Sequence, residues 1–327
     1  MNDVYTATIE LPVPPEEAFA LVTEPERLRR WTAVAATVDL RAGGAWSWTV
    51  TPGHVASGQV REVEPGRRLV LGWGWDGDDT LPPDASTVTV VIEPAGDGSR
   101  VTLTHAGLVG AQLDGHAEGW KHYLERLERF AVKGDAGADE WAWAPEHLDP
   151  VVAGYAALAV LQPVLRGLTA EDKPKPTPCA DFSCHQVAVH LMESISALGA
   201  MGGATVTLPE DGPLETKVSQ MADQALQAWR ARGLEGTVTD PAGREVPAAF
   251  TPAVLCIELL LHGWDLAQGS GQTMEVSDEV VAYVADLAAP IIPGGRGAAF
   301  ADEVVAPEDA GAMDRFAAFS GRQPVPA

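Results

Sequence analysis

Apolar and polar residues alternate in short runs through the first third of the chain, and this period of two predicts β-strands. Gly, Pro and Asp residues typical of turns separate the runs. The predicted strands are DVYTATIEL, TAVAATVDL, GAWSWTV, ASGQVREVEP, RRLVLGWGW, STVTVVIEPA and SRVTLTHAG. A helical segment, PVPPEEAFALVTEPERLRRW, follows the first strand, and an amphipathic helix, HAEGWKHYLERLERFAVKG, follows the last one. This order predicts an α+β domain over residues 1–140.

The pattern then changes to helical spacing. Residues 141–147, WAWAPEH, break both periodicities and are predicted to be a linker. From 148 to 327 we expect an all-α domain. The predicted helices lie in LDPVVAGYAALAVLQPVLRGL, DFSCHQVAVHLMESISALGAM, PLETKVSQMADQALQAWRARG, residues 252–268, SDEVVAYVADLA and PEDAGAMDRFAAFSG. Ser183 and Gln186 match the S-x-x-Q capping box, so the second of these helices is predicted to begin at Ser183.

Composition and charge narrow the function classes. The 327 residues carry a formal net charge of −24, and both halves are acidic, which argues against binding to nucleic acid or to an anionic membrane surface. Three cysteines do not form a disulfide framework. The N-terminus lacks the pattern of a signal peptide, and no run approaches 18 apolar residues. We therefore expect a cytoplasmic protein with no membrane-spanning helix.

The apolar stretch CIELLLHGWDLAQGSG carries Glu258 and His262 one helical turn apart, with Asp265 close behind. An isolated buried carboxylate is costly, and a divalent cation held by both side chains removes that cost. His190, inside another apolar helix, is the best third ligand. Spacing alone leaves open that Glu258 and His262 bond only to neighbouring groups. Asp265 either orients His262 or is simply a polar residue near the helix end.

Two tryptophan pairs, Trp46 with Trp48 and Trp73 with Trp75, are each spaced by two and so point to one sheet face. They form either an aromatic wall for a small hydrophobic or aromatic ligand or ordinary core packing, and the sequence favours core packing.

Residues 1–135 resemble the helix-grip fold of START-like (SRPBCC) proteins, and within it the homologues of the heat-shock-protein-90 ATPase activator. The resemblance is carried by PPEEAFALVTEPERLRRWT, GQVREVEPGRRLVLGW, VTLTHAGL and HAEGWKHYLERL. It implies a curved sheet that grips a helix around a hydrophobic cavity. It implies no fixed set of catalytic residues.

Residues 148–325 resemble the DinB/YfiT-like superfamily of metal-binding four-helix bundles, and within it the group of mycothiol-dependent maleylpyruvate isomerase. The resemblance is carried by TPCADF, VAVHLMES, ELLLHGWDLAQGSGQ and DAGAMDRFAAFSGRQP. It implies that His190, Glu258 and His262 are the metal ligands. Zinc is the first expectation, with nickel or manganese as alternatives. The family's Trp-Asp before the second helix is Phe182-Ser183 here, and Arg230, Arg232 and Arg244 are weak candidates for binding a thiol.

Together, these features predict a metal-dependent enzyme acting on a small molecule. The resemblance implies a mycothiol-dependent isomerase or transferase, with the START-like pocket holding a hydrophobic substrate. The sequence assigns no catalytic residue beyond the metal ligands. One alternative is a protein that sequesters a ligand and has a non-catalytic metal site. Another is an interaction protein associated with a chaperone. Bundles of this type often pair, so a homodimer is a further expectation.

Overall fold

A computed structural model describes residues 3–179 and 182–323, and the chain divides into two compact units, 1–139 and 140–327. Residues 180 and 181 of the TPCADF stretch and the last residue of the quoted C-terminal stretch, 324, lie outside the described residues. Residues 141–147, predicted to be a linker, belong to the second unit. There the Trp143 carbonyl accepts a hydrogen bond of 3.1 Å from the Ser277 hydroxyl.

The N-terminal unit is an antiparallel sheet with a long helix. Its strands are β1 (Asp3–Leu11), β2 (Ala35–Val38), β3 (Ala45–Thr51), β4 (His54–Glu64), β5 (Arg68–Trp75), β6 (Ser86–Ala95) and β7 (Gly98–Leu108). Their order in the sheet is β1-β7-β6-β5-β4-β3-β2, so all neighbours except β1 and β7 are consecutive in the chain. Helices α1 (Pro15–Thr23) and α2 (Pro25–Leu28) follow β1, and α3 (Ala111–Lys133) follows β7.

The helical segment predicted after β1 is broken in two at Glu24. This residue has extended backbone angles, φ −82° and ψ 124°, because the ring of Pro25 disfavours a helical conformation in the residue before it. The amphipathic character predicted for this helix is confirmed, since Trp120, Leu124 and Leu127 on α3 are buried. The sheet and α3 thus share one apolar core.

The C-terminal unit is predominantly helical. Its helices are α4 (Glu140–Trp143), α5 (Pro150–Gly167), α6 (Cys184–Met201), α7 (Leu214–Arg232), α8 (Phe250–Ser270), α9 (Asp278–Ala288), α10 (Ile292–Gly295) and α11 (Ala312–Phe319). Helices α5, α6, α7 and α8 pack against one another as a four-helix core. The expectation of an all-α unit is corrected by a hairpin of β8 (Thr237–Thr239) and β9 (Glu245–Pro247) in the turn-rich section before α8.

Helices α6 and α8 carry the candidate ligands, and each has a defined cap at one end. The predicted capping box is confirmed: the Ser183 hydroxyl accepts from the Gln186 amide, and the Gln186 side chain accepts from the Ser183 amide. Helix α8 ends at Gly271, whose φ of 73° lies in the left-handed region that glycine adopts without strain.

The expectation about apolar runs needs a correction. Helices α5 and α8 are long and apolar enough to cross a membrane by length and composition. Their apolar windows are 72% and 83% buried inside the protein, as expected for core helices of a bundle. Gly263 shows how closely they pack, because a Cβ there would lie 2.9 Å from Met274 Sδ and 3.3 Å from Leu161 of α5.

Candidate metal centre and its cavity

Helix α8 holds two potential ligands on one face. Glu258 and His262 are one turn apart, and Glu258 Oε2 lies 3.5 Å from His262 Nε2. The helix is otherwise almost entirely apolar, and His262 is buried. Both side chains therefore lie in a largely apolar environment, where a charged group needs a partner.

Helix α6 brings the third candidate ligand. His190 Nε2 lies 3.3 Å from Glu258 Oε2, and the rings of His190 and His262 are nearly perpendicular with centroids 5.0 Å apart. One ligand atom from each of these three side chains lies within 4.8 Å of the other two. The structure thus brings together the three residues singled out from the sequence.

These three residues fit a metal ion in three respects. Glu258 Oε2 is buried and receives no aligned hydrogen bond from the described residues, although two imidazole nitrogens lie nearby. Two ligands each about 2.1 Å from a tetrahedral ion are about 3.4 Å apart, close to the observed 3.3 and 3.5 Å. A donor set of two imidazoles and one carboxylate also suits zinc and its first-row neighbours.

Asp265 orients His262. The Asp265 Oδ2 atom accepts a hydrogen bond of 2.9 Å from His262 Nδ1, which leaves Nε2 directed toward Glu258. Arg322 Nε donates to both oxygens of the same carboxylate, at 2.9 and 3.0 Å, and Arg322 Nη1 donates to Ser320. A carboxylate behind a histidine is the usual support of a metal-binding imidazole, because it fixes the tautomer and the ring orientation. Of the two roles left open for Asp265, the geometry is that of the orienting residue.

The electrostatics of this cluster favour a positive charge. Burial raises the pKa of Glu258, but the adjacent imidazoles of His190 and His262 outweigh burial and hold that pKa well below its usual range. Burial lowers the pKa of His262, but the carboxylates of Asp265 and Glu258 outweigh it and raise that pKa to about 9. The cluster therefore stabilises a bound cation, whether a proton or a metal ion.

A cavity of about 890 Å³ opens onto the three candidate ligands. Phe182, Phe250 and residues 297–301 contribute to its walls, and Arg322 and Cys179 also line it. The Cys179 thiol lies within 4.8 Å of ligand atoms of His262 and Asp265. The site can therefore admit a sizeable molecule directly to the candidate metal centre.

Two lining residues were missed from the sequence. Neither Arg322 nor Cys179 was assigned to the site, although both lie in stretches that carry the family resemblance. Arg322 is 57 residues from Asp265, so spacing could not connect them. The residues around Arg322, Ser320 and Gly321, do not indicate a binding site, since an arginine in a loop is usually exposed.

The other candidates lie away from the centre. Arg244 pairs with Asp240, and Arg232 donates to backbone carbonyls near the β8 strand. These two and Arg230 are not among the described residues that line the cavity. The Cys256 thiol donates to the Pro150 carbonyl, and burial raises its pKa, so it belongs to the core.

In the N-terminal unit, the tryptophan pairs pack against one another. Trp46, Trp48 and Trp73 are at most 4% exposed, with ring centroids 5.0 to 5.8 Å apart, and Trp75 is half-buried. The cavity that Trp48 helps to line between sheet and α3 measures about 20 Å³. Such a space holds about one water molecule. This space is too small for the hydrophobic ligand expected from the START-like resemblance, and these tryptophans pack as core residues.

A hydrogen-bonded chain runs through this aromatic cluster. The Trp120 indole donates to His105 Nδ1 at 3.0 Å, so His105 Nε2 carries the proton and donates to the Ser86 hydroxyl at 2.8 Å. Ser86 in turn donates to the Trp73 carbonyl. Burial, and next the charge of nearby His116, lower the pKa of His105 to about 3. His105 is thus a neutral structural residue.

Comparison with known proteins agrees with this fold. Residues 12–131 match the family described as activator of Hsp90 ATPase homolog 1-like protein. The N-terminal unit is an AHSA1-like domain. The match covers neither the bundle nor its candidate ligands, so it concerns this domain and not the whole chain.

Solved structures resemble the AHSA1-like domain. An AHSA1-like protein from Rhizobium etli is 37% identical, covering 45% of this chain and 94% of that one, with a TM-score of 0.37. CalU16 from Micromonospora echinospora is 29% identical, covering 41% and 76%, with a TM-score of 0.36. An Aha1 dimer from Colwellia psychrerythraea is 15% identical, covering 40% and 98%, also with a TM-score of 0.36. The dimeric state is a property of that protein.

A further relative matches a stretch longer than the AHSA1-like domain. An uncharacterized protein of Mycobacterium tuberculosis is 29% identical over 181 residues, which is 54% of this chain and 98% of that protein. The matched stretch is longer than the N-terminal unit of residues 1–139, so part of it falls in the helical unit. The name of this relative states no activity.

Proposed function

We propose that the C-terminal unit is a metal-dependent enzyme that binds one divalent ion through His190, Glu258 and His262 and acts on a small molecule in the adjoining cavity. The observation that carries this proposal is the convergence of three ligand atoms around the buried, unbonded Glu258 Oε2. A solvated surface cluster would not need to bury that atom. Its position beside a cavity of about 890 Å³ gives a substrate access to the ion.

Each residue of the centre has a separate task. Glu258 supplies negative charge, while His190 and His262 supply neutral nitrogen ligands. Asp265 holds His262 in one tautomer, and Arg322 neutralises Asp265, which is fully buried. A bound divalent ion would supply Lewis-acid polarisation of a substrate oxygen or stabilise a thiolate. Zinc is the proposed ion, with nickel and manganese as alternatives.

The proposed reaction is a thiol-dependent isomerisation or transfer. Support for this class comes from the resemblance of residues 148–325 to the DinB/YfiT-like superfamily and to mycothiol-dependent maleylpyruvate isomerase. Mycothiol is the thiol implied by that resemblance. The arginines considered from the sequence as thiol-binding residues do not support it, since they lie outside the described lining.

The two alternatives have less support. Sequestration of a ligand in the AHSA1-like domain would require the tryptophan cluster to open, because its cavity holds only about 20 Å³. A chaperone-associated role rests on the family name, and a fold does not by itself carry a function. A cytoplasmic location and a homodimer are proposed on the sequence arguments alone.

Metal content and turnover test the proposal. We expect about one ion per chain in the purified full-length protein, measured by mass spectrometry, and loss of that ion in His190→Ala and Glu258→Gln. Glu235→Gln, on an exposed residue, is the matched control and should retain it. Thiol-dependent turnover that needs Glu258 would support the enzyme. An absence of metal in the wild type after loading with zinc, nickel and manganese would overturn it.

A further inference from the structure

The walls of the large cavity differ in chemistry from its metal-binding side. Side chains from three separate segments make a wall of aromatic and aliphatic groups. These are Phe182 before α6, Phe250, Val254, Ile257 and Leu261 on α8, and Phe300 after α10. Ligand-binding sites with a mostly apolar lining and few polar groups bind molecules with an apolar body.

Helix α8 carries the apolar wall residues and the candidate metal ligands on two adjacent stripes. Phe250, Val254 and Leu261 follow the spacing of three and four that places residues on one helix face. Glu258 and His262 lie on an adjacent stripe of the same helix, about 80° around it by the 100° rotation per residue. A molecule whose donor group reaches Glu258 and His262 therefore has its remaining atoms beside the apolar stripe.

The charges in the lining argue against an anionic body. Arg322 is the one arginine among the described lining residues, and its Nε already donates to both oxygens of Asp265. Its Nη1 donates to Ser320. A carboxylate on the body of a ligand would lose its hydration beside the apolar walls and, in the described lining, would find no arginine free of Asp265 to pair with. This is unfavourable. The net charge of −24 disfavours an anion further.

The size of the cavity sets the scale of the occupant. A volume of about 890 Å³ lies toward the upper end of the roughly 300–1,000 Å³ typical of sites for drug-sized ligands. A short dicarboxylic acid would leave most of this space unfilled and most of the wall uncovered.

We infer that the substrate of the bundle has a bulky, uncharged apolar or aromatic body and a single oxygen or sulfur donor directed at the metal centre. This inference rests on the proposed function, because it places the donor at His190, Glu258 and His262. It assigns the hydrophobic ligand to the C-terminal unit, whereas the sequence placed it in the START-like pocket of the N-terminal unit.

A series of hydroxamates with one metal-binding head tests the inference on the full-length, cobalt-loaded protein. Acetohydroxamate, benzohydroxamate and 2-naphthohydroxamate differ only in the size of the apolar body. We expect calorimetric affinity to rise at least about tenfold with each added ring, as more apolar surface is buried. 4-Carboxybenzohydroxamate should bind more weakly than benzohydroxamate. Equal affinities across the series, or tighter binding of the carboxylate, would overturn the inference.

Variants in the wall provide a second test. Phe250→Ala and Val254→Ser should each weaken 2-naphthohydroxamate binding several-fold and leave acetohydroxamate binding unchanged. Leu208→Ala is the matched control, because Leu208 is exposed and lies outside the described lining. Unchanged 2-naphthohydroxamate affinity in both wall variants would contradict the inference.

A probe without a chelating head separates failure of the cavity from failure of the metal site. We expect 2-naphthamide to bind both the wild type and Glu258→Gln, and to protect Cys179 from iodoacetamide, while Cys184 and Cys256 are buried and unreactive. If hydroxamates do not bind but 2-naphthamide does, the proposed metal site is wrong and the apolar binding cavity is supported. If all hydroxamates bind alike and 2-naphthamide does not bind, the inference fails and the metal centre stands.

Discussion

In the N-terminal unit, Trp46, Trp48 and Trp73 fill the space between the sheet and α3 and leave about 20 Å³, whereas the helices of the C-terminal unit leave about 890 Å³ open. Both interiors hold titratable side chains. In the first, burial keeps His105 neutral, with a neutral donor and a neutral acceptor as its partners. In the second, His262 lies between two carboxylates that favour a positive charge. One interior is closely packed, and the other holds a charged cluster beside an open cavity.

The largest expected effect concerns the packed interior. Trp73→Ala should lower the free energy of unfolding of the N-terminal unit by about 3–5 kcal/mol, the range for removing a large buried side chain. Denaturant unfolding followed by circular dichroism measures this. Trp75→Ala, on the half-buried neighbour, should cost distinctly less. If both variants unfold alike, the tryptophan cluster is not the core that the structure indicates.

The next effect concerns the charged interior. Asp265→Asn should weaken metal binding by about 10- to 100-fold, the range for residues that orient a ligating histidine. Competition with a coloured chelator measures the affinity. Asp240→Asn, on a carboxylate that pairs with Arg244 away from the cavity, is the control. An unchanged affinity in Asp265→Asn would mean that His262 needs no support.

The pH dependence of stability sharpens the contrast. The pKa of His105 is about 3 when folded and about 6.5 when unfolded, so the unfolded state binds more protons between these values. Stability from His105 is therefore full above pH 6.5 and is lost as the pH falls. We expect the N-terminal unit to lose about 1.4 kcal/mol between pH 7.5 and 5.5 from this group. His105→Gln should reduce this dependence, and an equally steep dependence in that variant would contradict the assignment.

The smallest expected effect concerns the N-terminal cap of α6. Ser183→Ala removes both the cap of the helix that carries His190 and half of the capping box, and should cost about 1 kcal/mol. Thermal unfolding of the full-length protein measures it. Ser270→Ala, at the C-terminal end of α8, is a control whose hydroxyl caps no helix N-terminus: it donates to the Leu266 carbonyl and accepts from Gln272 Nε2. Equal costs would show that the capping box has no special role.

The sequence predicted the strands and the long helices, because each depends on local periodicity, and His190 joined the candidate ligands as a histidine inside a second apolar helix and through the family resemblance. Glu258 and His262 stood out because a charge in an apolar helix is costly wherever the helix packs. The location of the large cavity could not be predicted, since side-chain packing between distant segments decides it. Arg322 was missed for the same reason: its partner, Asp265, is 57 residues away.

The bond between Arg322 and Asp265 has a consequence for the order in which the protein is made. When Asp265 is added to the growing chain, 57 residues remain to be added up to and including Arg322. A nascent chain at that stage would have to bury the Asp265 carboxylate with no guanidinium opposite it, which is costly. The Asp265 carboxylate therefore reaches its hydrogen-bonded arrangement only after Arg322 has been added.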